Sequence, residues 1–360
     1  MKKIIISAPG RICLFGEHQD YLNLPVVTAA ISLRVELIAT PRRDQIFQID
    51  LPDIGTTEFL DFSEEKEFGY AKQRDYFKSV FNVLFRQGIR WQRGWNCTIK
   101  GKIPINSGTS SSSALNNIWC RFLLEVGENA LPEWKEPEQV ATFSHLAEVV
   151  EFAEPCGKMD QIATAVGGVL HIDFADNDLI TRLSAKLGSF VLGDSLQPKD
   201  TLQILNRTKI PALKAAENIK SVYPRISFVD FPLEKLIEYK SILTSQEFIV
   251  IQGMLINRDI CQKAKILMEQ ENIDHEKLGR MLSEHHKYLR DNLNISTPKI
   301  EKMLQVALNT GALGGKINGS GGGGCMFAYA PNHPQKVAAA IEKVGGKAYV
   351  VEVGNGLVIK

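Results

Sequence analysis

Residues 104–115 read PINSGTSSSSAL, and the organisation of the whole chain turns on how this stretch is read. It holds Gly108 and five serines: Ser107, Ser110, Ser111, Ser112 and Ser113. Upstream, Cys97–Ile103 is a candidate strand. Downstream, Ala114–Val126 carries an apolar face and predicts a helix. A strand, a short loop of small residues and a helix N-terminus together suit an anion such as a phosphate. Small residues let backbone N–H groups approach it. Serine hydroxyls add donors or a magnesium ligand, and the helix end contributes about +0.5 charge. The competing reading is a flexible serine-rich linker. A linker has spare length, and none separates this strand from this helix. The loop is not a Walker A motif, because no GxxxxGK[ST] occurs, and the HRD and DFG signatures of protein kinases are missing as well.

Two further loops flank it at a distance. Ala8–Tyr21, APGRICLFGEHQDY, packs Arg11, Glu17, His18 and Asp20 into ten residues. One reading is a surface turn with solvated charges. Against it, the charges alternate with Cys13, Leu14 and Phe15, which favour burial. Glu, His and Asp together supply both acceptors and donors, a mix suited to the hydroxyls of a sugar. Leaving a buried polar group unpaired there costs about 1–3 kcal/mol. The third loop, Gly311–Gly324, reads GALGGKINGSGGGG. Its formal GxGxxG match leads into the strand-like CMFAYA instead of a helix, which argues against a dinucleotide site. Its glycines let backbone approach a ligand or another loop closely, or simply make a turn. Between the loops sit Glu148, in a helical pattern, and Asp160, after a Pro155-Cys156-Gly157 break. Taken singly, each carboxylate reads as solvated.

Composition sets the frame around these loops. In 360 residues, 42 Lys and Arg offset 41 Asp and Glu, with 44% hydrophobic content. Those proportions exclude a disordered or fibrous chain and give no global pull toward nucleic acid or acidic membranes. The six cysteines form no CxxC pair, so neither a disulfide framework nor a zinc site is suggested. The isoleucine run after the two N-terminal lysines is too short for a signal-peptide core, and no stretch is long enough to span a membrane. The expectation is a soluble, cytoplasmic protein without nucleic-acid or membrane partners; oligomeric state is left open.

The coarse pattern predicts strands at 3–7 (stopped by Pro9-Gly10), 26–38, 45–62, 97–103, 167–174, 189–194, 325–330 and 347–353. Helical spacing marks 72–87, 114–126, 137–153, 158–166, 211–220, 233–242, 257–270, 276–292, 298–309 and 335–344. Strands and helices mix without a regular βαβ beat, so the chain reads as α+β in two domains, residues 1–190 and 191–360.

Taken in order, the stretches resemble the GHMP small-molecule kinase superfamily and, within it, the galactokinases. APGRICLFGEHQDY is similar to a signature built around PGR…GEH-x-DY. PINSGTSSSSAL is similar to the family's phosphate loop, EPCGKMDQ to its PCG-x-MDQ segment, EHHKYLRD (284–291) to a helix carrying E-x-H-x-x-LRD, and GGKINGSGGGGC to its C-terminal glycine loop. The resemblance implies a two-domain GHMP kinase fold, an N-terminal α/β domain and a C-terminal ferredoxin-like domain, with the active site between them. It implies ATP with Mg²⁺ and phosphoryl transfer to a sugar hydroxyl. On this resemblance Glu17, His18 and Asp20 fall on sugar-contacting positions. Ser107, Gly108, Ser110, Ser111, Ser112 and Ser113 fall on the triphosphate. Ser112 and Glu148 fall on the magnesium ligands, although any serine of 110–113 would serve. Asp160 falls on the catalytic aspartate and Arg11 on its basic partner. Whether Asp160 takes the proton or acts electrostatically is left open.

Several positions depart from the pattern. Gln19 replaces a Thr and Cys13 an Asn. LNLPVV follows where a glycine pair is usual. Ser113 lengthens the serine run, Lys316 stands where Arg is common, and Gly322 where an aromatic often sits. No N-x-RR segment follows residue 190. These departures touch sugar-side and cross-domain contacts. The expectation is therefore a kinase acting on the anomeric hydroxyl of a monosaccharide, galactose first, with galacturonate, arabinose, fucose or a heptose as alternatives. A non-catalytic sugar or nucleotide sensor on the same fold is the reading from another class.

Overall fold

The computed structural model describes residues 3–154, 156–198 and 201–360, with Thr201 and Leu202 described by backbone alone. Two sheets organise the chain. The first holds β1 (Ile4–Phe15), β2 (Val26–Pro41), β3 (Ile46–Leu51), β4 (Thr56–Asp61), β5 (Trp95–Gly101), β6 (Val169–Asp173), β7 (Leu179–Leu183) and β12 (Val358–Ile359). Its order is β12-β1-β2-β5-β3-β4, with the β6-β7 hairpin branching from β2. The second sheet holds β8 (Phe190–Asp194), β9 (Gly314–Ile317), β10 (Cys325–Tyr329) and β11 (Lys347–Val351) in the order β11-β8-β10-β9, all antiparallel. Helices lie between β8 and β9 and between β10 and β11, which makes this half a βαββαβ unit of ferredoxin-like order.

Strand β1 is the hinge of the architecture, because both of its faces are buried. One side of the first sheet packs under α1 (Tyr76–Arg86), α2 (Ser111–Val126), α3 (Pro137–His145) and α4 (Met159–Val166), around Phe47, Phe81, Trp119 and Phe122. The other side sends Ile12, Leu14, Phe15, Val27 and Ala29 against Phe190, Leu192 and Phe327 of the second sheet and against α6 (Ser245–Met268) and α7 (His275–Asp291). At roughly 1.5–3 kcal/mol per fully buried large apolar side chain, this shared core makes the two halves one packed body. The remaining helices are α5 (Thr201–Val222), α8 (Pro298–Asn309) and α9 (Pro334–Lys343); α8 and α9 cover the second sheet. The starts of α6 and α8 carry side-chain caps, and the first lies well before the stretch 257–270 marked by helical spacing, since α6 begins at Ser245. Thr244 and Glu247 form a capping box on α6, and Thr297 caps α8 with Pro298 at its first position.

The structure departs from the sequence reading at several elements. Pro9-Gly10 does not stop the first strand. β1 runs through it to Phe15, and the irregularity is absorbed as a register shift between Pro9 and Arg11. Most of the stretch read as the first loop is therefore strand, with the turn confined to residues after Phe15. The glycine loop contains strand β9. Residues 137–153 are not one helix, because α3 passes into a π-turn at Leu146–Val150. Residues 233–242 are 3₁₀, and β7 and β12 went unread. Pro155, part of the expected break before α4, lies outside the described residues.

Candidate active site

The turn after β1, the serine loop, the π-turn, the start of α4 and the tip of the glycine loop open onto one cleft of about 320 Å³. All eleven residues singled out from sequence besides Asp160 line it together with Asp160: Arg11, Glu17, His18, Asp20, Ser107, Gly108, Ser110, Ser111, Ser112, Ser113 and Glu148.

Arg11 sits at the centre, 3% exposed. Its Nε and Nη2 donate to Asp160 Oδ1 at 2.8 and 2.7 Å, and Nη1 donates to the Gly108 carbonyl at 2.6 Å. Both bonds to Asp160 end on Oδ1, which leaves Oδ2 to the cleft. Burial works against the Arg11 charge, but the carboxylates of Asp160 and Glu17 outweigh it and raise the pKa. One guanidinium thus ties the head of α4 to the phosphate-loop candidate.

The serine loop reaches α2 through Ser110, whose backbone is left-handed at φ 59°, and no side chain caps the helix. The first-turn N–H groups of α2 therefore face the cleft without an internal acceptor. The Ser110 hydroxyl is buried and has no hydrogen-bond partner among the described residues. Ser107 and Thr109 instead bond inward, their hydroxyls 3.0 Å apart and Ser107 Oγ donating to the Pro104 carbonyl at 2.8 Å. The π-turn places Glu148 opposite. Burial pushes its carboxyl above the ordinary range, against hydrogen bonds from Ser112, Gln161 and Ser113. Gln161 Nε2 donates to Glu148 Oε2 at 2.7 Å. Among the described residues no three His, Cys, Asp and Glu side chains converge as a metal cage. A hydroxyl and a carboxylate beside an uncapped helix end do fit Mg²⁺ held partly by phosphate oxygens and water.

The glycine loop braces the serine loop by backbone. A Cβ on Gly108 (φ +87°) would stand 2.6 Å from the Asn318 carbonyl, and one on Gly319 (φ +76°) 2.8 Å from Gly108 Cα. Asn318 Nδ2 donates to the Gly108 carbonyl at 2.7 Å, and the Cys325 N–H donates to the Ser107 carbonyl at 2.7 Å. Of the options open for these glycines, close approach to another loop is the one the structure shows.

The remaining acidic and imidazole groups differ among themselves. His18, at φ +61°, donates from Nε2 to the Ser320 carbonyl at 3.1 Å. Asp20 accepts from the Tyr21 N–H at 3.1 Å, and burial, with the neighbouring Asp160 charge, pushes its pKa up to about 6. Its carboxylate rests on bare backbone: a Cβ on Gly157 would stand 1.9 Å from Oδ2. Glu17 is more enclosed, 2% exposed and paired with Lys316.

The cleft also holds residues the sequence did not single out. Gln161 follows Asp160 in the quoted MDQ segment and was legible there. Arg74, at φ +61°, forms a bidentate pair with Glu154 at 2.7 and 2.8 Å, and Tyr76 stands beside it. No local signal marks either, since they head a helix 30 residues before the serine loop.

Residues 75–168 match the model for the GHMP kinases N terminal domain, residues 266–348 that for GHMP kinases C terminal, and residues 1–41 the galactokinase galactose-binding signature. A mevalonate kinase of Thermococcus gammatolerans is 27% identical, with 98% of this chain and 97% of that protein covered. A galactokinase of Haemophilus influenzae is 25% identical, with 92% and 86% covered. The solved galactokinase of Lactococcus lactis, complexed with galactose, superposes with a TM-score of 0.83 at 20% identity, covering 99% of this chain and 95% of that one, a likeness of fold.

Proposed function

Because this chain belongs to the GHMP kinases, a family of phosphotransferases, we propose that it transfers a phosphoryl group from ATP to the anomeric hydroxyl of a monosaccharide, galactose first. The observation that carries the reading is the Arg11–Asp160 pair lying in one cleft with the uncapped serine helix and Glu148. Phosphoryl transfer asks mainly for positioning and charge neutralisation, and these groups supply both.

In this reading the backbone N–H groups and hydroxyls of Ser110–Ser113 hold the phosphates, with Ser107 and Gly108 shaping the loop. Ser112 and Glu148 hold Mg²⁺, which when bound neutralises phosphate charge. Asp160 Oδ2 accepts or orients the proton of the attacking sugar hydroxyl. Arg11 keeps Asp160 in place and offsets charge on the transferred group. His18 and Asp20 bond sugar hydroxyls. The division of the chain near residue 190 belongs to the same reading, with the first half supplying the phosphate loop and the second closing the cleft.

A second reading has a specific observation behind it: the match to mevalonate kinases over nearly the whole chain. Mevalonate is a carboxylate, and the guanidinium groups of Arg11 and Arg74 in the cleft are already paired with Asp160 and Glu154, which favours an uncharged polyol. An ADP-release assay over free sugars and mevalonate tests the choice. Turnover with galactose, or with galacturonate, arabinose, fucose or a heptose, supports a sugar kinase. Turnover with mevalonate alone overturns it, and ligand binding without turnover supports the sensor.

A further inference from the structure

Five groups from the second half of the chain grip the end of β1 and the turn after it. His285 of α7 accepts the Gly16 N–H through Nε2 at 3.0 Å. Asn318 Oδ1 accepts the Cys13 N–H at 2.9 Å, and the Ser320 carbonyl accepts from the His18 ring. Lys316 of β9 donates through Nζ to the Cys13 carbonyl at 2.8 Å and to Glu17 Oε2. The other Glu17 oxygen accepts the Gly319 N–H. Both carboxylate oxygens of Glu17 are thus engaged by β9 and the glycine loop. Lys316 is fully buried, stands over the Phe327 ring at 5.2 Å, and lines no part of the cleft.

We propose that Glu17 acts as a positioning residue and that the buried Lys316–Glu17 pair is a latch. It fixes the turn carrying His18 and Asp20 against the glycine loop that braces the phosphate site. This rests on the sugar-kinase reading and adds to it: Glu17, which lines the cleft, is held in place by Lys316 and the Gly319 N–H. Three features of the pair fit a latch. It joins segments about 300 residues apart (|i−j| = 299). It is shielded from water, so salt does not weaken it as it would a surface pair. It also touches the Gly319 backbone, whose neighbour across the contact is Gly108.

A double-variant cycle tests the proposal. Breaking a buried pair from one side strands a charge, whereas removing both charges leaves none to strand. Glu17→Gln and Lys316→Met are each expected to raise the sugar KM at least tenfold, with the ATP KM changed less than threefold. The double variant is expected to recover at least fivefold over either single one. If Glu17 instead bonds the sugar directly, the double variant stays as impaired as Glu17→Gln, and the proposal is overturned. Should a charge-removing variant fail to fold, Lys316→Arg keeps the charge and alters only its shape. A raised sugar KM at unchanged ATP KM is expected from this residue outside the cleft, and an unchanged sugar KM contradicts the latch. Hydrogen exchange of the unliganded Lys316→Arg protein reads the latch without any substrate. Amides of 16–20 and 317–321 are expected to exchange faster together, and unchanged exchange in either segment overturns the coupling. If the unaltered enzyme turns over no sugar, the functional reading fails while the exchange result still decides the latch.

Discussion

Arg11 and Asp160 lie 149 residues apart in sequence and share one charge-assisted contact at the centre of the cleft. In the proposed reading, replacing Asp160 by Asn removes the carboxylate that accepts or orients the proton of the attacking hydroxyl. The expected result is a kcat lowered by at least about 100-fold, the scale of a positioned acid–base group, with ATP binding retained. Unchanged turnover in this variant would take Asp160 out of the reaction. Asp20 carries a different prediction, because its carboxyl is raised to about 6 from an ordinary 3.8. A raised carboxyl means that the folded state binds a proton more readily than the unfolded state. Its ionisation therefore opposes folding fully above pH 6, and that opposition fades as pH falls from 6 toward 4. Asp20→Asn should raise Tm at pH 8 and change it little at pH 4, while weakening sugar binding about ten- to a hundredfold. A Tm that falls at pH 8 with an unchanged sugar KM would mark Asp20 as a turn residue, held by its bond to the Tyr21 N–H.

At the scale of elements, the serine helix and the glycine loop behave as one part, joined where Gly108 meets Gly319. Gly319→Ala adds a Cβ at a positive φ and at 2.8 Å from Gly108 Cα. It should cost about 1–3 kcal/mol, lower Tm by several degrees and raise the ATP KM. An ATP KM that stays put would separate the glycine loop from the phosphate site. The π-turn makes its own claim: Glu148→Gln should shift the Mg²⁺ titration to higher concentration, and an unmoved titration removes Glu148 as a ligand. Much of this was readable in sequence because each motif is short and its chemistry is local. PINSGTSSSSAL announces a loop and a helix end whatever the rest of the chain does. The strand through Pro9-Gly10 was not readable, since only the pairing with β2, which resumes at Arg11 and runs to Phe15, overrides the local turn signal. Arg74 and Tyr76 were hidden for a related reason: tertiary folding alone brings the head of α1 to the cleft. The partner of Glu17 was also hidden, because nothing near residue 17 points to Lys316.

Across the whole molecule, one cleft is assembled from residues 11 to 320, and the apolar core shared by the two sheets holds its walls in register. The first half supplies the serine loop, Glu148 and Asp160; the second half grips the turn that carries His18 and Asp20. In the proposed reading, this arrangement directs the phosphoryl group to a single hydroxyl of the substrate. The measurement that tests this most directly is ³¹P NMR of the product formed from ATP, Mg²⁺ and the sugar that supports ADP release. The account predicts one phosphomonoester on the anomeric oxygen, formed in step with ADP and lost in Asp160→Asn. A phosphate on any other hydroxyl, or a product formed from mevalonate and from no sugar, would contradict it.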